Sequence, residues 1–98
     1  MRFNISQEGV KLICEIEGEL DVRTSPDLER ELIPALENKT EAVIDLKGVT
    51  YLSSAGLRVL LQAAKIMDQQ GKLTVKNVDE EVMLILQVTG FDSLLNIE

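Results

Sequence analysis

Apolar and polar positions alternate at the start of the chain. "RFNIS" sets Phe3 and Ile5 against polar neighbours, and "QEG" then supplies a turn. "VKLICEIEG" resumes the alternation with Val10, Leu12, Cys14 and Ile16 on one face, Ile13 being the exception. A period of two, broken by a turn and resumed, predicts a β-hairpin. The spacing lengthens in "SPDLERELIPALEN", where Leu28, Leu32 and Leu36 mark the buried stripe of a helix. Ser25 is predicted as its N-cap and Pro26 as its first helical residue, with Asp27 and Glu29 suited to the positive helix end. Pro34 predicts a kink or an early end, because its ring clashes with the carbonyl four residues back.

"EAVIDLKG" is short, apolar and β-branched, which predicts a central strand. After a loop over "KGVTYL", a second helix is predicted from Ser54 to Gln70, with Leu57, Leu60, Leu61, Ala64 and Met67 at helical spacing and Gly71 as its C-terminal cap. "KLTVKN" predicts a further parallel strand. "DEEVMLILQVTG" predicts a helix capped by Asp79 and ended at Gly90, with Glu80 and Glu81 in its first turn. The tail "FDSLLNIE" is apolar enough to pack down as a short strand or turn. The order is β-β-α-β-α-β-α, and helices between successive strands imply right-handed parallel crossovers. The expected fold is α/β, one mixed sheet with helices, forming a single domain over residues 1–98. In such folds ligands and partners meet the edge where parallel strands end and helices begin. Three loops are expected there: Gly18 to Ser25, Lys47 to Ser53 and Asn77 to Asp79.

Composition narrows the chemistry. The net charge of −7 disfavours phosphate backbones and anionic membrane surfaces, so neither nucleic acid nor membrane insertion is expected. It suits solubility first, and a partner with a basic face second. The lone Cys14 permits no internal disulfide and falls in a strand alternation, as a core thiol. The opening "MRFNISQEG" has no apolar signal region, which points to the cytoplasm. Without histidine there is no histidine-based triad, and zinc loses its commonest nitrogen ligand. No phosphate-loop or GxGxxG motif is present, so neither an enzyme nor a bound cofactor or metal is expected.

The remaining candidate chemistry is the pair Ser53 and Ser54 in "YLSSAGLRVLL". One serine can cap the second helix by accepting a first-turn amide, worth about 1 kcal/mol. The other can carry a modification, because a helix N-terminus tolerates phosphate. A serine nucleophile would need a neighbouring base, and S-S-A-G is not the G-x-S-x-G elbow.

Three blocks, "GELDVRTSPDLERELIPAL", "AVIDLKGVTYLSSAGLRVLL" and "GKLTVKNVDEEVMLILQVTGFDSLL", resemble the STAS domain family, most closely the bacterial anti-sigma factor antagonists. The resemblance spans nearly the whole chain. It implies a protein that, when unphosphorylated, binds an anti-sigma factor and so frees a sigma factor. It also implies that this partner, a serine kinase, inactivates the antagonist on one serine, and that a phosphatase reverses the step. The family signature D-S-[ST]-G, aligned on Gly56, places the acceptor at Ser54, with Ser53 where aspartate is frequent. Asp21 and Thr24 fall in a loop on the same edge, either as turn and cap residues or as partner contacts. Asp45, in the next family block, is a loop acceptor or a contact.

Arg58 is a solvated charge or a partner's counter-ion. Val59, Ala63 and Ile66 either pack under neighbouring loops or form an apolar patch beside Ser54. The expected partner-binding set is therefore Asp21, Thr24, Ser53, Ser54, Gly56, Arg58 and Val59, on a monomer. A second reading is a constitutive docking subunit of a lipid-transport or stress-signalling complex. A third, weak nucleotide binding at the same edge, lacks a phosphate loop.

Overall fold

The computed structural model describes residues 1–98. The alternating N-terminal stretches form β1 (Arg2–Glu8) and β2 (Lys11–Leu20), paired antiparallel. They are followed by α1 (Ser25–Ala35), β3 (Glu41–Leu52), α2 (Ser54–Asp68), β4 (Lys72–Lys76) and α3 (Glu80–Thr89). The sheet runs β1-β2-β3-β4, with β2, β3 and β4 mutually parallel. This is the mixed α/β order expected from the sequence.

One face of the sheet carries Leu12, Cys14 and Ile16 of β2, Ala42, Ile44 and Leu46 of β3, and Leu73 and Val75 of β4. They form one continuous core with Leu28, Leu32 and Leu36, with Leu57, Leu60 and Met67 of α2, and with Val82 and Leu86 of α3. Cys14 is fully buried there, and desolvation pushes its thiol pKa up to about 12. Ile13 points the other way, as its place in the alternation requires.

Several local expectations are corrected. Val10 lies in the turn of the hairpin, not on the core face, and is 56% exposed; its carbonyl accepts the Thr40 and Glu41 amides. Ser25 is the first residue of α1 rather than its cap. Thr24 stands at the cap position but makes no capping bond, because its hydroxyl is already engaged in the preceding turn. The helix does stop one residue past Pro34, the early end that proline imposes. Helix α2 ends at Asp68, and Gly71 is not its left-handed cap. A Cβ at Gly71 would lie 2.0 Å from the Thr40 carbonyl oxygen, so the residue is small because another backbone passes against it.

The largest correction is β3, which continues through the segment expected to be a loop. Against β2 its register runs Glu15↔Asp45, then Glu17↔Gly48, then Gly18↔Val49 and Glu19↔Tyr51. Each irregularity adds one residue to β3, as β-bulges do. The inward positions therefore pass from Ala42, Ile44 and Leu46 to Val49 and Leu52. By contrast β4 stops opposite Asp45, so the Asn77–Asp79 connection sits beside the middle of β3 and not at its far end.

Asp79 precedes α3 without a side-chain cap bond, and Gly90 ends it at φ 80°. The tail then makes a short 3-10 turn, Phe91–Ser93, and an isolated parallel bridge from Ile97 to Val75. Val75 donates to the Asn96 carbonyl, Glu98 donates to the Val75 carbonyl, and Asn96 Nδ2 donates to Thr74 Oγ1. Part of the outer edge of β4 is thus paired.

Candidate functional site

The protruding ends of β2 and β3 meet the start of α2. Ser53 is the single residue between β3 and α2, in an extended conformation (φ −90°, ψ 174°). Its amide donates to the Leu20 carbonyl at 3.0 Å, and its hydroxyl lies 3.4 Å from the same oxygen. Its Oγ also accepts the Gly56 amide at 3.4 Å, the capping bond of α2. Gly56 is buried against β2, where a Cβ would stand 2.7 Å from the Leu20 carbonyl oxygen. Ser53 and Gly56 together hold α2 on the strand ends.

Ser54 is the first residue of α2, exposed, with no hydrogen bond from its hydroxyl to the protein. The first turn of α2 carries no acidic side chain, whereas those of α1 and α3 do. The positive end of the helix dipole at Ser54 is therefore uncompensated by any helix carboxylate. Arg58, one turn further on the same face, is exposed and makes no ion pair.

Asp21 and Thr24 close the turn between β2 and α1. Asp21 Oδ1 accepts the Arg23 amide at 2.9 Å and the Thr24 amide at 3.1 Å. Thr24 Oγ1 in turn accepts the Asp21 amide and lies 2.9 Å from the Glu19 carbonyl. The bond from the Arg23 amide, with those from Thr24, holds the Asp21 carboxyl below its ordinary 3.8, although partial desolvation opposes this. The turn role weighed for Asp21 is what its hydrogen bonds serve, and Thr24, weighed as a cap, braces the same turn instead.

Asp45 is a local acceptor as well, taking the Lys47 amide at 2.9 Å, and it lies in mid-strand away from the α2 entrance. Val59 is 3% exposed and Ala63 is buried, so the apolar patch beside Ser54 does not form from them. Helix α2 packs against both α1 and the sheet, and that wide contact arc takes them inside.

Two exposed apolar side chains occupy the rim instead. Val22 is 71% exposed in the β2–α1 turn, and Tyr51 is 47% exposed near the end of β3. Each is two residues along the chain from the Leu20–Ser53 hydrogen bond. Neither was singled out from sequence, where an apolar residue reads the same in a core or on a rim. A surface depression of about 550 Å³ lies elsewhere, lined by Arg2, Glu15, Glu17 and Asp45 among others. No cluster of His, Cys, Asp and Glu is arranged to hold a metal ion, and no helix is long and apolar enough to cross a membrane.

A mixed four-stranded sheet with three helices, and a free hydroxyl at the α2 entrance, make this a small α/β module. The STAS domain model matches residues 4–98, and the chain belongs to the STAS domain family. It is 30% identical over 98 residues to the anti-sigma-B factor antagonist of Bacillus subtilis (strain 168), covering 99% of this chain and 90% of that one. It is 31% identical over 101 residues to the anti-sigma-B factor antagonist of Staphylococcus aureus (strain NCTC 8325), covering 99% and 94%. An anti-sigma factor antagonist from Mycobacterium paratuberculosis shares the fold with a TM-score of 0.87, at 22% identity over 98% of this chain and 83% of that one. The Bacillus cell fate determinant SpoIIAA in its phosphorylated form gives 0.77 at 14% identity, over 99% and 91%. SpoIIAA in its unphosphorylated form also gives 0.77, at 13% identity over 99% and 87%.

Proposed function

We propose that this protein is an anti-sigma factor antagonist, a binding module and not an enzyme, switched by phosphorylation of Ser54. The unphosphorylated form docks an anti-sigma factor through the rim of Val22, Tyr51, Ser54 and Arg58, releasing a sigma factor for transcription. The names of the relatives support the partner class, and the geometry at the α2 entrance supports the switch. One observation carries the reading: Ser53 has taken the capping role, which leaves the Ser54 hydroxyl exposed and unbonded.

In the off step the γ-phosphoryl of ATP passes to Ser54 Oγ, ADP leaves, and the hydroxyl proton goes to the kinase. The new group adds a charge of about −1.5 to −2 at neutral pH. First-turn amides of α2 accommodate it, so the fold persists while the rim becomes bulky and anionic. The equal likeness of the chain to phosphorylated and unphosphorylated SpoIIAA is consistent with a fold that phosphate leaves intact. Hydrolysis by a phosphatase restores the hydroxyl.

The test is phosphosite mapping by mass spectrometry on protein from its native cells under growth and stress, paired with affinity measurements. Phosphate on Ser54 whose occupancy changes between conditions is expected. Ser54→Asp should remain folded and lose the anti-sigma factor, and Ser54→Ala should bind and escape phosphorylation. Equal affinity of wild type and Ser54→Asp would overturn the switch and make the rim a constitutive docking surface.

A further inference from the structure

Three of the six strongly exposed large apolar side chains fall in one stretch: Leu84 (59%), Val88 (78%) and Leu94 (57%). Leu84 and Val88 lie one turn apart on the outer face of α3, while Val82 and Leu86 of the same helix enter the core. A helix lying on a soluble protein normally turns polar residues to solvent, and one that is apolar on both sides is normally covered on both.

Charge is distributed unevenly around this face. From Asn77 to Glu98 there is no Lys or Arg, and there are five acids: Asp79, Glu80, Glu81, Asp92 and Glu98. All ten basic residues lie in the first 76 positions, so the last 22 carry five of the seven net negative charges. None of these five carboxylates is in an ion pair. Glu80 and Glu81 stand before Leu84, and Asp92 stands between Val88 and Leu94, so acids flank the apolar pair along the chain.

We propose that the outer face of α3 is a second docking surface, independent of the Ser54 rim, for a protein segment forming a basic amphipathic helix. Its apolar stripe would cover Leu84 and Val88, and its Lys or Arg residues would meet the flanking carboxylates. A second copy of the chain would bring acids against acids, and an anionic bilayer is repelled for the same reason.

The test uses the intact, isotope-labelled protein and two synthetic amphipathic peptides that share one leucine stripe but carry either lysine or glutamate on the polar face. The lysine peptide is expected to shift the amides of α3 and the 91–95 turn saturably, and the glutamate peptide to leave them unmoved. The double variant Leu84→Gln/Val88→Gln keeps good helix formers, and circular dichroism confirms its fold. It should weaken the lysine peptide by about tenfold or more, since the apolar burial over both side chains is lost. Ser54→Asp should leave this binding unchanged, which separates it from the rim. Equal binding of both peptides, an unmoved α3, or α3 shifts that depend on concentration in the free protein would each overturn the proposal, the last in favour of self-association.

Discussion

Replacing Ser53 with alanine removes the only side-chain acceptor at the start of α2, and the expected cost is about 1 kcal/mol. In a domain of this size that lowers the melting temperature by roughly 4–8 °C. Ser54→Ala removes a hydroxyl that bonds nothing in the protein, so its melting temperature should match wild type. Equal losses for both variants would mean that the two serines share the cap. Ser25 is a third case, a buried hydroxyl without a partner. Its desolvation is uncompensated, so Ser25→Ala is expected to be neutral or stabilising in thermal unfolding. Asp21 gives a pH signature. Its carboxyl titrates below 3.8 in the folded chain, so its contribution is present above that pH and fades as the pH falls through the folded value. The stability gap between wild type and Asp21→Asn should therefore be constant near neutrality and shrink in acid.

At the scale of elements, Gly56 joins α2 to β2. Alanine there gains helix propensity, but its Cβ meets the Leu20 backbone oxygen and side chain inside 3.0 Å, where strand backbone cannot yield cheaply. The clash should dominate, with a net loss of about 1–3 kcal/mol in denaturant unfolding. The hairpin and the stripe of α1 were legible because each keeps one period along its length, and the extent of α3 because Asp79 and Gly90 bracket it. The second half of β3 was not, because its bulges stretch the spacing of inward residues from two to three at Leu46, Val49 and Leu52. A strand with that spacing reads as a loop. The cap and the free hydroxyl were legible in the serine pair, since only one residue can occupy a cap. Val59 was not, because a helix packed on two neighbours buries more than one stripe.

For the whole molecule, the C-terminal tail closes what would otherwise be an open sheet margin. Bonds from Val75, Glu98 and Asn96 tie it to β4. Removing residues 96–98 should cost about 1–3 kcal/mol and expose unpaired strand groups. Size-exclusion chromatography would show association rising with concentration, and a monomeric, equally stable truncation would count against the tail as a seal. The core thiol has a practical consequence too. Cys14 is hidden and held protonated to about pH 12, so maleimide dyes should pass it by in the folded state. The hairpin turn at Val10 is exposed at the opposite end of β2 from the Leu20–Ser53 junction. A Val10→Cys protein would thus offer one reactive sulfur without deleting the native one. Its fluorophore would follow partner capture by polarisation from outside the binding rim.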